Sequence, residues 1–360
     1  MANKEVIITA PSLDPAQNVS GVSSVVSFII QNNGSRQYVH FELGRKDKEK
    51  GGVFRIGALL KAYKKWGGVL KEHPDAIVHY SFPLSAMSIL RDPLFMRKAR
   101  RTGHKMVVHV HGGIYLTSLH IPFLLKRVLR HVFSWDVPFI VLSEKEKSTL
   151  AERFGAKRVD VLPNCVDLQG ASAFTRERKP DDEPLVIGYL GRIEPNKGMT
   201  ELLFACQKLR KEKIPFRLEL AGKEEHDDEY LPFFDRELGR DFRYAGIVSG
   251  KAKEDFLKDL DILVFPSYFE GLPMSLLECM SYSVVPVTTP VGSIPEVVKD
   301  GENGVFIKVK DDDSIVQAVK RLHSKRGDLF NMGIRAQETI FANFSPEKYI
   351  ARLNQLYDAL

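Results

Sequence analysis

Cysteine is scarce in this chain of 360 residues, which has only Cys165, Cys206 and Cys279. The three are far apart and odd in number, and none lies at the spacing of a metal-ligand set or a redox pair. This argues against a disulfide framework and against a cysteine-bound metal centre. It predicts buried, reduced thiols in a reducing compartment.

Long apolar runs are also missing. No stretch reaches the roughly 18 apolar residues that a membrane-spanning helix needs. The first apolar run, Val6-Ile7-Ile8, is too short for a secretory signal. We find no low-complexity segment and no repeat of fixed period. We therefore expect a cytoplasmic protein, and a composition of 44% hydrophobic and 27% charged residues indicates an ordinary folded one.

Charge of one sign is unevenly spread along the chain. Of 52 Lys and Arg and 46 Asp and Glu, residues 1–180 hold 28 and 15, which leaves 24 and 31 for the remainder. The length exceeds the roughly 100–200 residues of a typical domain, so a basic and an acidic domain with different partners are indicated. The basic half is suited to nucleic acid, an anionic membrane surface or a phosphorylated substrate.

Short runs rich in Val and Ile alternate with helical segments in both halves, a pattern typical of parallel sheets covered on both faces. Strands are predicted at 5–10, 76–80, 105–110, 139–142, 158–162, 185–190, 216–221, 242–245, 262–266, 284–288 and 304–307. Helices are predicted at 94–101, 123–132, 200–211 and 274–282, and residues 22–31 form a helix or a second buried run. The predicted organisation is a Rossmann-like domain over 1–170, a polar linker over 171–184, a second such domain over 185–344 and a C-terminal helix over 345–360.

The densest chemical signal lies between residues 265 and 304. Glu270 follows a predicted strand, and Gly271 allows a ligand to approach the backbone closely. Pro273 can begin a helix that carries Glu278 about one turn in, where an acid can bind ribose hydroxyls while the helix start accepts phosphate. The alternative for Glu278 is a solvated helix residue, which its apolar neighbours disfavour. Farther on, Glu296 either caps the next helix or faces the ligand.

A second pair follows the first strand of the second domain. Arg192 and Lys197 lie on one loop bounded by Gly191 and Gly198, where two cations can neutralise a diphosphate. The loop is neither a dinucleotide fingerprint nor a P-loop. Two solvated loop cations are the alternative.

The first domain offers weaker signals. His109 and His111 lie at the end of a strand and point to the same side, so of the two only His111 is expected to reach a ligand. The strand end and the two glycines that follow favour that role, and a buried core histidine is the alternative. A metal would need a third ligand, and none is evident. The small-residue turn around Gly21 can meet a phosphate or a sugar through its amides.

Together these clusters resemble the retaining glycosyltransferases of family 4, which have the GT-B fold of two Rossmann-like, doubly wound α/β domains facing across a cleft. The segment from Pro266 to Glu278 resembles the family's E-x7-E signature, and Arg192 with Lys197 resembles its phosphate-binding pair. The Gly292–Glu296 loop resembles its next segment. The sequence departs from the family at Ser281-Tyr282-Ser283, where Ala-x-Gly is common, and at Ser293, where a second glycine is usual.

The resemblance implies a role for each matching residue. The second domain would bind the nucleotide-sugar donor and the first the acceptor, with the C-terminal helix crossing back to the first. Catalytic roles fall to Glu270, facing the donor sugar, to His111, near the reacting carbon, and to Arg192 and Lys197, on the diphosphate. Donor-binding roles fall to Gly21, Arg192, Lys197, Gly271, Leu272 and Glu278. Transfer would proceed with retention, with no metal and no other cofactor.

The implied activity is transfer of a hexose or N-acetylhexosamine, with a UDP-sugar the expected donor, in bacterial surface polysaccharide or lipopolysaccharide synthesis. The acceptor is expected to be a saccharide, lipid-linked and reached at the inner face of the membrane, because basic runs at 97–101 and 124–130 suit anionic lipid. Solvated helix faces are the alternative for those runs. Rival functions are a UDP-sugar epimerase on the same fold and a basic nucleic-acid-binding protein, although the acidic second half argues against nucleic acid.

Overall fold

The computed structural model describes residues 5–14, 17–18, 20–44, 54–118, 120–224 and 230–360, the side chains of 54–56 and 117 apart. The chain divides into two compact units. The first contains Met1–Asn164 together with Glu347–Leu360, and the second contains Cys165–Pro346. Within the described ranges, no helix combines the length and the apolar composition that crossing a bilayer requires.

The first unit is built on a parallel sheet of six strands in the order β2-β1-β3-β4-β5-β6. The strands are β1 (Glu5–Ala10), β2 (Gln37–Glu42), β3 (Ile77–Phe82), β4 (Met106–Val110), β5 (Phe139–Val141) and β6 (Val159–Val161). Every residue of β3, β4 and β5 is buried, as expected for the central strands of a sheet covered on both faces. The helices between them are α1 (Gly21–Asn32), α2 (Phe54–Glu72), α3 (Ala86–Arg101), α4 (Ile114–Thr117), α5 (Phe123–Phe133) and α6 (Glu144–Phe154).

The second unit repeats the design, with a parallel sheet in the order β12-β11-β10-β7-β8-β9. Its strands are β7 (Leu185–Leu190), β8 (Phe216–Ala221), β9 (Phe242–Tyr244), β10 (Ile262–Phe265), β11 (Val285–Thr288) and β12 (Val305–Phe306). Its helices are α7 (Gln169–Ser172), α8 (Met199–Lys211), α9 (Leu231–Leu238), α10 (Gly250–Asp259), α11 (Met274–Ser281), α12 (Ile294–Val297), α13 (Asp312–Ser324) and α14 (Arg326–Asn343), with 3-10 turns at Pro195–Lys197 and Gly239–Asp241.

The strand order of the second unit is that of the classic Rossmann sheet, in which the first strand lies at the centre. The connections leave β7 in one direction toward β8 and return to its other side at β10. Ligands of such sheets bind where the strand order reverses, outside the carboxyl ends of the strands. In this unit that point lies between the loops that follow β7 and β10.

The last helix, α15 (Pro346–Asp358), belongs to the first unit although the chain reaches it from the second. Polar contacts hold it there. Asn354 Oδ1 accepts hydrogen bonds from Asn33 Nδ2 at 3.0 Å and Arg36 Nε at 3.2 Å. Arg36 also pairs with Asp358 at 2.6 Å. Tyr357 is fully buried beneath these contacts.

The segment predicted as a linker packs on the second unit, which begins at Cys165, earlier than the predicted domain boundary. Arg176 is largely buried and donates 2.8 Å hydrogen bonds to the carbonyl oxygens of Lys258 and Tyr282. Lys179 Nζ lies 2.8 Å from Asp261 Oδ1. The polar composition of this stretch therefore serves contacts with main-chain carbonyls and a carboxylate, in addition to its exposure to solvent.

Candidate functional site

The loop after β7 carries Arg192 and Lys197 in a tightly folded turn. The main-chain N–H of Gly191 donates to Ala221 O at 3.0 Å, and that of Ile193 donates to Lys223 O at 2.8 Å. The buried hydroxyl of Tyr189 donates to Arg192 O at 2.5 Å. These bonds fix the backbone from which Arg192 extends.

The loop after β10 lies directly against the loop after β7. The N–H of Tyr268 donates to Asn196 O at 2.9 Å. Gly198 has a φ of +73°, and a Cβ there would lie 2.4 Å from Pro266 O, so only glycine fits between the loops. The strand-order reversal thus brings the two sequence clusters together.

Lys197 and Glu270 form an ion pair across these two loops. Lys197 Nζ lies 2.7 Å from Glu270 Oε1, and the side chains are only 17% and 10% exposed. Arg192 lies on the same turn as Lys197, so the site joins two cations and one carboxylate. Lys197 and Glu270, which the sequence predicted from two separate clusters, are thus in direct contact.

Gly271 and Leu272 continue the same loop, and the loop after β11 supports them. Gly292 has a φ of +57°, and a Cβ there would lie 2.1 Å from Glu270 O. The N–H of Ser293 donates to Gly271 O at 3.0 Å. The Leu272 side chain is 3% exposed, so any contact of this residue with a ligand would be made through its main chain.

Glu278 lies on α11 and pairs with a residue that the sequence did not single out. Its Oε1 lies 2.8 Å from Lys253 Nζ on α10, with the side chains 21% and 33% exposed. The adjacent Cys279 is fully buried, and burial, together with the nearby Glu278 charge, raises the pKa of its thiol. Cys279 is therefore an inert packing residue, whereas Glu278 keeps partial access to solvent.

The other two predicted residues lie in the first unit. Gly21 is exposed and is the first residue of α1, whose N-cap Ser20 accepts a hydrogen bond from Ser23 N at 3.2 Å. His111 follows β4 and is partly buried, and its Nε2 has no hydrogen-bond partner among the described residues. Burial lowers the pKa of His111 to about 3.

His111 belongs to a row of histidines. Its ring stacks on that of His109 with centroids 4.1 Å apart and planes inclined by 30°. His109 Nδ1 lies 3.2 Å from Nε2 of His79 on the neighbouring strand β3. The sequence predicted that His109 and His111 share a side of the strand but gave no indication of His79. Among the described residues, no group of three His, Cys, Asp or Glu side chains is arranged to hold a metal ion.

Two family models match this chain, one in each half. The model of the glycosyl transferases group 1 family matches residues 172–339, and the model of glycosyltransferase family 4 matches residues 19–169. The lipopolysaccharide 1,2-N-acetylglucosaminetransferase of Salmonella typhimurium is 27% identical over 241 residues, 61% of either chain. The alpha-D-kanosaminyltransferase of Streptomyces kanamyceticus is 25% identical over 247 residues, 62% of either chain. The chain spans 42–62% of the length of the first four curated relatives.

Solved structures share the fold over the whole chain. The sucrose-phosphate synthase of Thermosynechococcus elongatus superposes with a TM-score of 0.80 at 16% identity, covering 99% of this chain and 98% of that one. The Anabaena protein HepE, solved in complex with UDP-glucose, gives a TM-score of 0.76 at 14% identity and covers 99% of this chain and all of its own. The architecture is therefore the GT-B fold, and with two family models matching 19–169 and 172–339, the chain belongs to the glycosyltransferases of family 4.

Proposed function

We propose that the protein is a glycosyltransferase that transfers a hexose or N-acetylhexosamine from a nucleoside-diphosphate sugar, with UDP the favoured nucleotide, to a saccharide in surface polysaccharide synthesis. The observation that supports it best is the ion pair of Lys197 and Glu270 at the strand-order reversal of the second unit. HepE, solved with UDP-glucose, has the same fold, and the Salmonella relative is named for transfer to lipopolysaccharide.

The second unit would hold the donor. Without ligand, Glu270 neutralises Lys197. An arriving diphosphate would bind the Lys197 ammonium and the Arg192 guanidinium, two cations that can take the place of a divalent metal. Glu278, held by Lys253, would accept hydrogen bonds from the ribose hydroxyls, and the main chain at Gly271 and Leu272 would contact the sugar.

Catalysis would then depend on the same cations. As the bond between the anomeric carbon and the phosphate oxygen breaks, negative charge grows on the departing nucleotide, and Arg192 and Lys197 would stabilise that charge in the transition state. His111 from the first unit would contact the donor sugar, and Gly21 would lie near the diphosphate. We propose that the acceptor attacks from the side that the nucleotide leaves, which retains the anomeric configuration.

Nucleotide binding is the first test. Thermal shifts with UDP, GDP, ADP and dTDP, with and without Mg²⁺, are measured on the wild type, on Arg192→Ala and on Arg240→Ala, whose side chain is 94% exposed in the same unit. A ligand at about 100 times its Kd stabilises a protein by about 2.7 kcal/mol. We expect one nucleotide to stabilise the wild type and Arg240→Ala without Mg²⁺, and Arg192→Ala to lose the shift. No shift with any nucleotide would refute the donor site.

Transfer is the second test. Nucleotide release from UDP-glucose, UDP-N-acetylglucosamine and GDP-mannose is followed with and without saccharide acceptors, and the product anomer is read by NMR. A product with the donor's anomeric configuration supports retention, and an inverted product excludes it. An epimerised nucleotide sugar formed without acceptor would instead identify an epimerase.

We further propose peripheral binding to anionic membrane through α3 and α5, consistent with a lipid-linked acceptor. Along α3 one stripe is exposed, apolar at its start and basic at its end: Met87, Leu90, Leu94, Arg97 and Arg101. The start of the neighbouring α5 exposes Phe123 by 79% and Leu124 by 58%, followed by the exposed cations Lys126, Arg127 and Arg130. Apolar residues beside cations suit the boundary between headgroups and acyl chains.

Vesicle co-sedimentation tests this surface. We expect the protein to sediment with phosphatidylglycerol-containing vesicles, to do so weakly with pure phosphatidylcholine, and to lose binding when Phe123 and Leu124 are both changed to Ser. The double change Phe204→Ser and Phe233→Ser, at exposed positions of the second unit, is the matched control. Vesicle binding that is equal for both lipid compositions, and equal for the wild type and the Phe123 and Leu124 variant, would refute the proposal.

A further inference from the structure

A continuous row of polar side chains runs through the first unit from α15 to the end of β4. Tyr357 Oη lies 2.6 Å from His79 Nδ1, and His79 Nε2 lies 3.2 Å from His109 Nδ1. The ring of His109 then stacks on His111. Tyr357, His79 and His109 are all completely buried, so water does not compete for these contacts.

The far end of this row is fully anchored. The Tyr357 hydroxyl also hydrogen-bonds the Tyr38 hydroxyl, which accepts from Asn33 Nδ2 at 2.8 Å. Asn33 in turn bonds Asn354 of α15. The row therefore begins in a network that fixes α15 to the first unit.

The other end of the row lies at the rings of His109 and His111. Nε2 of His109 and Nε2 of His111 are buried and have no hydrogen-bond partner among the described residues. Leaving a buried polar atom without a partner is unfavourable for a folded protein. The hydrogen bonds of the row are complete at α15 and end beside His111, an arrangement suited to holding the His111 ring in place.

We propose that Tyr357, His79 and His109 are positioning residues, which fix the ring of His111 for contact with the donor sugar. The contact of His111 with the sugar rests on the proposed function. The positioning itself rests on the distances in the row. It also gives the return of α15 to the first unit a catalytic consequence, because α15 supplies the first member of the row.

The hydrogen bonds couple the tautomers of the two inner histidines. If Tyr357 donates to His79 Nδ1, then His79 carries its proton on Nε2, donates to His109 Nδ1 and leaves the His109 proton on Nε2. If Tyr357 accepts, both protons lie on Nδ1. In either arrangement the two rings hold the same tautomer, which is a property that packing alone does not require.

Long-range proton–nitrogen NMR spectra of the full chain with ¹⁵N-labelled histidine test this coupling. We expect one tautomer, the same one, for His79 and His109, assigned through single His→Gln variants. Tyr357→Phe removes one oxygen and is expected to shift the His109 and His111 signals. Tyr349→Phe is the matched control on the same helix, since its ring packs on Phe28 instead, and it is expected to leave them unchanged.

The kinetic readout uses nucleotide release from the three sugar nucleotides named above. We expect Tyr357→Phe to lower kcat about tenfold, because small displacements of a reacting-site group are costly, and to leave KM for the donor and the UDP thermal shift unchanged. Opposite tautomers at His79 and His109, or unchanged His109 and His111 signals in Tyr357→Phe, would overturn the positioning role. A wild type that releases no nucleotide from any donor would count against the proposed function alone, because the spectra still decide the row.

Discussion

The buried histidine His79 makes the stability of the first unit depend on pH in a way that one substitution can isolate. His79 is fully buried, and burial, with a smaller contribution from the His111 charge, lowers its pKa from 6.5 to about 3. The unfolded chain therefore takes up a proton below about pH 6.5, which the folded unit takes up only near pH 3. The stability that this group contributes is fully present above about pH 6.5 and is lost as the pH falls from about 6.5 toward 3.

The magnitude follows from the two pKa values. Between about pH 7.5 and about pH 5.5, linkage gives a loss of about 1.4 kcal/mol in the free energy of unfolding from His79 alone. Burial lowers the pKa of His109 as well, so its contribution has the same sign. Asp92 acts in the opposite direction, because burial raises its pKa to about 6 and the folded unit binds that proton first. The pH dependence of the wild type's free energy of unfolding is therefore a sum of contributions of opposite sign, and a comparison with a variant is needed to isolate His79.

His79→Gln supplies that comparison. Both tryptophans of the chain, Trp66 and Trp135, are buried in the first unit, so fluorescence during urea unfolding reports on that unit. The variant loses stability at both pH values, but its change between them is expected to be smaller than that of the wild type by about 1.4 kcal/mol. His120→Gln, at an exposed position, is the control and keeps the full change. An equal change in His79→Gln and the wild type would refute the reasoning, since His79 would then titrate alike in both states.

Three further predictions concern the second unit. Ser283→Gly is expected to raise the free energy of unfolding by about 1 kcal/mol, because Ser283 has a φ of +59° and its buried hydroxyl has no partner among the described residues. Ser281→Gly, within α11, is expected to lower the free energy of unfolding, and calorimetry compares the two variants. Lys253→Ala is expected to raise the Kd for UDP about threefold to tenfold, because it removes the ion pair that holds Glu278, whereas Lys258→Ala on the same helix is expected to leave that Kd unchanged. Calorimetric titration with UDP measures both variants, and equal affinities would contradict the prediction. Glu270→Gln is expected to lower kcat about a hundredfold while the UDP thermal shift persists, and a variant with full turnover would remove Glu270 from the catalytic residues.

Most central strands could be predicted because burial on both faces leaves a continuous Val- and Ile-rich run, and β7 and β8 match their predicted bounds. β2 was missed. It lies at the edge of its sheet with five of its six residues partly or fully exposed, so its sequence, Gln37 to Glu42, lacks such a run. The predicted helix at 94–101 starts too late. In the structure, α3 begins at Ala86 behind the Ser85 capping box and continues through Pro93, a residue that usually interrupts a helix.

The residues brought together in the second unit were predictable for a topological reason. Glycine and proline next to a predicted strand mark the loops after β7 and β10 in the sequence. The strand order of a doubly wound sheet makes those two loops neighbours. The contact between Lys197 and Glu270 spans 73 positions of sequence, yet it follows from two local motifs and one rule of topology. Lys253 was not predicted because it is one of several lysines on a polar helix. Its ion pair with Glu278 on α11 distinguishes it from Lys251 and Lys258, which pair with acids on their own helix.

The row behind His111 escaped prediction for a deeper reason. A histidine inside a buried strand, such as His79, reads in the sequence as one polar residue among apolar ones, and Tyr357 reads as part of the apolar face of α15. Their contact joins residues 278 positions apart, and no motif surrounds either of them. They come into contact because α15 belongs to the first unit, where the Tyr357 hydroxyl lies within hydrogen-bond distance of His79 on β3. A polar network of this kind is specified by tertiary packing, and the role proposed for its members starts from the two nitrogens, Nε2 of His109 and Nε2 of His111, that have no hydrogen-bond partner among the described residues.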